Sequence, residues 1–410
     1  MTLSSGSLLA QGLGLLSIFV LPRLYADADF GLFGIYYASL VVMAVVINGG
    51  YEQAVMLPAT DAGARTLLRH SIRLALLLSG VLLLVVWLLG PWLLGLAGAA
   101  ALGAWIWLVP LALLLEGLAQ PLHTMLNRLQ RYRALSLARV LRALTWVGSS
   151  IALGLAGYGF AGLIVGWLAG QVVRVLVLVL AYLPPMRQIP RTASEAGGYS
   201  DFLRYGVASA WLNTAARHLP FYLLVPYFGE AAAGQFTQAN RVLSLPIDLI
   251  AMSIGSVFYE AGRRAHAAGG DALWQLTRRT ARQLALLGLP VLIVIMAAGP
   301  QLFAWVLGEA WYEAGVFARW LMPSFYLIFI ASPLAYLIDI RRKLPSFLLY
   351  NALLFVVRLF VLLWAGQRGL PPVVAIGLFS LAGTVLTLGQ LLYQLHLGGM
   401  SLPGIRAKGG

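Results

Sequence analysis

Long runs of apolar residues separated by short polar breaks follow one another along the whole chain. Each run is long enough for a helix that crosses the hydrocarbon core of a bilayer, which takes about 20 apolar residues. The pattern predicts about twelve such helices, near residues 3–21, 30–57, 71–96, 103–125, 135–155, 159–183, 202–227, 232–258, 281–306, 315–338, 345–366 and 371–397. We therefore expect an all-α polytopic membrane protein.

The composition supports this expectation. Hydrophobic residues make up 60% of the 410 residues and charged residues only 10%, with a mean hydropathy of +0.85, whereas soluble chains are about a quarter charged. The sequence has no cysteine, and its five histidines show no metal-ligand spacing, so we predict no metal site and no cofactor. The first apolar run lacks a basic leader and a cleavage site and is predicted to be a retained helix.

Basic residues mark one side of the predicted membrane. The net charge of +14 is concentrated in loops that follow even-numbered helices, at residues 65–73, 128–142, 187–204, 263–282, 341–343 and 406–408. Such loops stay in the cytoplasm, which predicts that both termini are cytoplasmic. Membrane topology thus explains the positive net charge, and we predict no nucleic-acid partner. The segment 262–282 is predicted to be an amphipathic surface helix. Because the opposite loops are too short for catalytic acids, we expect a protein without enzymatic activity.

The two halves of the chain repeat each other at a spacing of a little over two hundred residues. Landmarks of the first half recur in order in the second: Arg73 and Gly90-Pro91 match Arg282 and Gly299-Pro300, Trp107-Leu-Val-Pro110 matches Trp320-Leu-Met-Pro323, and Leu168-Ala-Gly170 matches Leu381-Ala-Gly383. Six helices in each half predict two pseudo-symmetric lobes around a central cavity, the architecture of an alternating-access transporter. The predicted parts are lobes at 1–183 and 202–397, a cytoplasmic linker at 184–201 and a cytoplasmic tail at 398–410.

Charged residues within the predicted helices are the candidate functional groups, because a charge at the bilayer centre costs at least about 2.5–3.5 kcal/mol. Helix 7 carries Asn213 and Arg217 on one face, and helix 8 carries Gln238, Arg241 and Asp248 on one face. Further candidates are Arg358 in helix 11, Arg174 in helix 6, Glu116 in helix 4 and Glu52 in helix 2.

The excess of arginine over acid in these helices predicts a phosphate-bearing ligand, since guanidinium groups bind phosphate oxygens in pairs. Arg217, Arg241, Arg358, Arg174, Asn213 and Gln238 are the predicted ligand-binding residues. Glu116, Asp248 and Glu52 are predicted to couple transport to an ion, either H⁺ or Na⁺. Two alternatives stay open: Arg217 and Arg241 pair with Glu116 or Asp248 as structural bridges, and Arg174 extends to cytoplasmic water.

Several segments resemble the polysaccharide-biosynthesis and O-antigen flippases of the multidrug/oligosaccharidyl-lipid/polysaccharide exporter superfamily. These segments are LPRLYADADFGLF at 21–33, GGYEQAVMLP at 49–58, GQFTQANRVLSLP at 234–246 and LGEAW at 307–311. The resemblance implies two six-helix lobes in a bacterial inner membrane. It also implies transfer of undecaprenyl-pyrophosphate-linked oligosaccharide from the cytoplasmic to the outer leaflet, with cavity arginines on the pyrophosphate.

The product served by this transfer would be O-antigen, as in lipopolysaccharide, or capsule or exopolysaccharide, and a glycan polymerase or ligase would be a possible partner. Two other functions stay open. A cation-coupled drug or metabolite antiporter of the same superfamily would be expected to have an acid-dominated cavity. A scaffold of a glycan-assembly complex would be expected to tolerate loss of Arg217 and Arg241.

Overall fold

The computed structural model describes the backbone of residues 3–188 and 200–400. These residues form thirteen α-helices, and no strand occurs among them. The helices are α1 Leu3–Val20, α2 Asp27–Ala44, α3 Tyr51–Ala54, α4 Asp61–Leu96, α5 Leu108–Arg128, α6 Tyr132–Leu155, α7 Phe160–Gln188, α8 Ser200–Ala268, α9 Ala272–Leu307, α10 Tyr312–Leu334, α11 Tyr336–Ile340, α12 Leu344–Gln367 and α13 Pro372–Gly398. The predicted all-α class is confirmed.

Eight segments of this part of the chain are long and apolar enough to cross a membrane. Many of their leucines, valines and tryptophans face outward, as on α4 and α9, which is expected of surfaces that contact lipid rather than water. The chain is therefore a multi-pass membrane protein. The count of twelve crossings and the cytoplasmic position of both termini stay predictions.

The second and third predicted helices have different bounds in the structure. The second predicted helix, 30–57, is interrupted after Ala44, because Gly49 and Gly50 adopt positive φ angles of 58° and 80° that end a helix. The helix predicted from residue 71 begins at Asp61, where the Thr60 hydroxyl accepts a hydrogen bond from the Gly63 N–H at 3.2 Å. The basic segment 65–73 is thus helical.

The predicted surface helix at 262–282 is wrong. Gly269 and Gly270 have φ angles of 74° and 59° and separate the end of α8 from the start of α9, so two long helices meet there in a tight turn. The predicted seventh and eighth helices both lie within α8, and the backbone breaks from helical geometry between them at Gly229, with φ 88° and ψ 166°.

Residue packing divides the chain into two units, Met1–Gly234 and Gln235–Gly410. The division falls within α8. Most of the predicted linker at 184–201 and residues 401–410 of the predicted tail at 398–410 lie outside the described residues. The predicted lobe boundaries stay predictions.

The internal repeat appears as the same set of helix pairs in each unit. In the first unit α4 packs on α5, α5 on α7, and α6 on α7; in the second, α9 packs on α10, α10 on α13, and α12 on α13. The sequence landmarks pair these helices in the same order. Each unit also has an apolar core at equivalent helices, from α4, α5 and α7 in one and from α9, α10 and α13 in the other.

Asn48 stabilises the interruption after α2. Its side-chain amide is 1% exposed and donates hydrogen bonds to the Ser71 hydroxyl and to the Gly117 carbonyl oxygen, both at 2.8 Å. These bonds tie the non-helical turn to α4 and α5 and satisfy polar groups that would otherwise be buried without partners.

Candidate substrate-binding site

Glu116 is the centre of a polar network inside the first unit. Its carboxylate accepts hydrogen bonds from the Arg174 guanidinium at 3.1 and 3.2 Å, from the Gln120 amide at 3.4 Å, and from the Gln171 amide. Glu116 and Gln120 are one turn apart on α5, and Gln171 and Arg174 one turn apart on α7. Two adjacent helices therefore present their polar residues to each other across the α5–α7 contact.

Two further arginines come to this network from α6. Arg142 interacts electrostatically with both Glu116 and Arg174, and Arg139 interacts with Arg174. An Arg139 guanidinium nitrogen also lies 3.2 Å from the His123 Nε2 atom of α5. We name Glu116, Gln120, Arg139, Arg142, Gln171 and Arg174 the arginine cluster.

A close approach of two backbones brings α6 to the cluster. A Cβ atom at Gly170 of α7 would lie 2.9 Å from the Arg142 carbonyl oxygen and 3.0 Å from the Trp146 Cβ. Only glycine leaves room for α6 at this distance, so that Arg142 reaches the level of Glu116. Gly170 is one of the landmarks of the internal repeat, and its counterpart Gly383 lies against the Arg358 guanidinium in the second unit.

Charge in the arginine cluster is strongly unbalanced, with three arginines against one glutamate. The Arg174 and Glu116 side chains are 16% and 19% exposed, so their pairing is only weakly screened by solvent. Gln171 is fully buried, and its Oε1 atom has no hydrogen-bond partner among the described residues. Partly buried cations in excess of the acid form a site suited to an anion with several oxygens, because guanidinium groups bind such oxygens in pairs. The Gln171 Oε1 atom is itself an acceptor and does not contribute to this preference.

The structure thus assigns a partner to two predicted site residues. Arg174 bonds to Glu116 rather than extending to cytoplasmic water, and Glu116 has Arg174, not Arg217 or Arg241, as its salt-bridge partner. The sequence interpretation counted Arg139 and Arg142 among the basic residues of a cytoplasmic loop, although the predicted helix 135–155 includes both; in the structure they lie on α6. Their spacing of one helical turn inside an apolar run was the signal that could have found them.

Other predicted site residues lie apart from this cluster. Arg217 and Asn213 are on the α8 part of the first unit, where Arg217 is exposed and Asn213 half-buried. Gln238 and Arg241 belong to the second unit; Gln238 is fully buried, with no hydrogen-bond partner for either amide atom among the described residues. A common cavity for these four residues stays a prediction.

Arg358 is buried within the second unit. It is 3% exposed, and its guanidinium carbon lies 4.5 Å from the centre of the Phe379 ring, a cation–π contact between α12 and α13. It also interacts electrostatically with Tyr350, whose hydroxyl lies 3.5 Å from the Thr387 hydroxyl. Its predicted contact with a ligand stays a prediction.

Two predicted ion-coupling acids differ in how far the structure describes them. Glu52 lies on the short helix α3 and is half-buried, and its Oε2 atom has no hydrogen-bond partner among the described residues. The side chain of Asp248 is outside the described residues.

Comparison with solved structures identifies the fold. A multidrug-resistance MATE-family transporter of the MOP superfamily in an inward-facing conformation is 18% identical, with a TM-score of 0.72 over 98% of this chain and 97% of that one. The lipid II flippase MurJ in an inward closed conformation is 12% identical, with a TM-score of 0.69 over 96% and 87%. A MOP transporter from Pyrococcus furiosus Vc1 (DSM3638), described as having a binding pocket of reverse polarity, is 16% identical, with a TM-score of 0.59 over 96% and 93%.

The protein is therefore a polytopic helical membrane protein with the fold of MOP-superfamily transporters. The family of polysaccharide biosynthesis proteins matches residues 20–315, most of the chain, and the protein belongs to this family. None of the curated proteins compared with the chain is significantly similar to it.

Proposed function

We propose that this protein is a flippase of the bacterial inner membrane. It translocates undecaprenyl-pyrophosphate-linked oligosaccharide from the cytoplasmic to the periplasmic leaflet by alternating access, for the synthesis of O-antigen, capsule or exopolysaccharide. The arginine cluster is the observation that carries the proposal, because it places three cations against one acid within a helix bundle. Membership of the polysaccharide biosynthesis family and the transporter fold support it.

The diphosphate binds where Glu116 now holds Arg174. A carboxylate and a phosphate both accept two parallel hydrogen bonds from a guanidinium group, so the Glu116 carboxylate occupies the position that a phosphate oxygen pair takes. Arg142 and Arg139 stabilise the additional negative charge of the ligand, and the Gln171 amide supplies a further donor. Arg217 and Arg241 also bind the ligand, as the sequence pattern of the seventh and eighth predicted helices indicates.

Glu116 links the cargo to an ion. When Arg174 turns from Glu116 to phosphate, the carboxylate loses its partner in a weakly solvated site, which is costly. An H⁺ or Na⁺ that neutralises Glu116 removes this cost, so the proposal includes a coupling ion at this residue.

A drug or metabolite antiporter is the second candidate, favoured by the fold shared with the multidrug-resistance transporter. The charge of the arginine cluster opposes a cationic cargo, since it would repel one. A scaffold without transport would leave the intramembrane arginines without use, although each is costly to insert.

The test is a flipping assay in liposomes. The protein is reconstituted with undecaprenyl-pyrophosphate-linked oligosaccharide, and the rate at which the glycan becomes accessible to an added glycosidase is measured. The variant Arg142→Gln with Arg174→Gln is compared with Arg263→Gln with Arg264→Gln, which removes the same charge from exposed positions near the end of α8. A third variant, Arg217→Ala with Arg241→Ala, tests the predicted cavity residues.

Wild type and the control variant Arg263→Gln with Arg264→Gln are expected to flip the glycan. The flipping rate of the cluster variant, Arg142→Gln with Arg174→Gln, is expected to fall to that of protein-free liposomes. Equal rates for the cluster variant and the control would refute the role of the cluster. No acceleration by folded wild type with any of several glycans would refute the flippase function.

A further inference from the structure

Arg319 is an intramembrane cation that the proposed transport does not use. It lies on α10, in the second unit, within a segment apolar enough to span the membrane. One guanidinium nitrogen donates a hydrogen bond to the Ala297 carbonyl oxygen at 3.2 Å, while its Nε atom is buried without a partner among the described residues. No carboxylate among the described residues lies within salt-bridge distance of the Arg319 guanidinium. A cation within a membrane-spanning segment is costly unless an anion or water compensates it.

An apolar groove starts beside Arg319. It has a volume of about 710 Å³ and runs between α9, α10 and α13; its walls include Leu292, Ile293, Met296, Pro323, Tyr326 and Thr384. The helices α9 and α10 also approach each other closely elsewhere along their contact. A Cβ at Gly315 would lie 2.5 Å from the Gly299 carbonyl oxygen, and a Cβ at Gly288 would lie 3.1 Å from the Tyr326 ring. We name the apolar groove the α9–α10 groove.

The cation and the groove form one continuous site. Arg319 is one turn before Pro323 on the same face of α10, and its bonded partner Ala297 lines the groove. Side chains of a helix point toward its N-terminus, so the Arg319 guanidinium is directed toward the membrane boundary where α10 begins at Tyr312. The groove extends from there toward the middle of the bilayer.

We propose that the α9–α10 groove binds one acyl chain of an anionic phospholipid whose phosphate is held by Arg319. The groove walls on α9 are open to the bilayer, with Ile293 57% and Met296 41% exposed, so a chain can enter sideways from the membrane. The lining offers almost no polar group to water, whereas an acyl chain fills it without loss of hydrogen bonds. The phosphate supplies the missing counter-charge at the level where lipid head groups lie.

The experiment measures which lipids remain bound to the protein. Full-length protein is reconstituted in vesicles of equal phosphatidylglycerol and phosphatidylcholine, extracted, and analysed by native mass spectrometry. Arg319→Gln removes the charge, Arg319→Lys keeps it, and Arg368→Gln removes an exposed arginine at the end of α12 as the matched control. Ile293→Trp fills the groove, and Val294→Trp adds the same bulk beside it. The unfolding midpoint of each variant verifies its fold.

Wild type, Arg319→Lys and the Arg368 control are expected to prefer phosphatidylglycerol by about tenfold, which corresponds to one charge-assisted hydrogen bond. Arg319→Gln is expected to lose this preference, and Ile293→Trp to lose the retained lipid while Val294→Trp keeps it. An unchanged preference in Arg319→Gln, or equal retention by the two tryptophan variants, would overturn the site. A second set of vesicles contains diacylglycerol in place of phosphatidylcholine; retention of diacylglycerol as strong as that of phosphatidylglycerol would also overturn the site, because the phosphate would then contribute nothing. None of these outcomes depends on whether a glycan is flipped.

Discussion

Replacing Glu116 with glutamine tests whether this carboxylate occupies the place of a ligand phosphate. The substitution keeps the shape of the side chain and removes its charge, so Arg174 and Arg142 lose the acid with which both interact. We expect the variant to be less stable than wild type and more responsive to a diphosphate.

The expected loss of stability follows from how far the Glu116 and Arg174 side chains are exposed. Breaking a fully buried ion pair costs about 3–5 kcal/mol, and an exposed pair contributes at most about 1 kcal/mol. Glu116 and Arg174 are 19% and 16% exposed, which places the cost between these limits, at about 2–3 kcal/mol. For a unit of this size, the loss lowers the unfolding midpoint by roughly 5–10 °C.

The assay is thermal unfolding of the detergent-purified protein with and without farnesyl diphosphate. A ligand at a hundred times its Kd stabilises the folded state by about 2.7 kcal/mol, enough to restore Glu116→Gln to the stability of the unliganded wild type. Wild type is expected to gain less, because its own carboxylate competes with the diphosphate for Arg174. Farnesol, which lacks the phosphates, controls for binding of the chain alone.

Glu313→Gln is the matched control, since Glu313 is an exposed acid in the first turn of α10. It should leave both the unfolding midpoint and the ligand response unchanged. The reasoning would be refuted by a Glu116→Gln variant as stable as wild type, or by equal stabilisation of the two proteins by farnesyl diphosphate.

Three further predictions concern the packing of the helices within the two units, each measured as a change in thermal unfolding. Asn48→Ala is expected to cost about 1–3 kcal/mol, because three polar groups of α4 and α5 lose their buried donor; an unchanged midpoint would contradict this. Gly234→Ala is expected to cost about 1–3 kcal/mol or more, since the added Cβ would overlap a backbone carbonyl oxygen of α2, whereas Gly389→Ala, with open space around it, should be neutral or slightly stabilising. Phe379→Leu is expected to cost about 1–2 kcal/mol through loss of the cation–π contact with Arg358, while Phe379→Tyr should retain most of it; equal losses would contradict the contact.

The sequence by itself determined the all-α membrane class, the internal repeat and the charged residues within apolar helices, where a charge is costly. Apolar runs of membrane-spanning length can fold only as helices in lipid, so their pattern was sufficient to predict an all-α polytopic protein. The repeated landmarks predicted equivalent helix pairs, and the structure has them in α4, α5 and α7 and in α9, α10 and α13.

Only the tertiary structure decided which charges meet. Arg142 and Arg174 are separated along the chain and join at Glu116 because Gly170 allows α6 and α7 to approach closely. Helical periodicity gives the face of a residue on its own helix, but the rotation of each helix against its neighbours is set by packing along the whole contact. For the same reason only the tertiary structure shows that Arg358 packs on Phe379 inside its own unit.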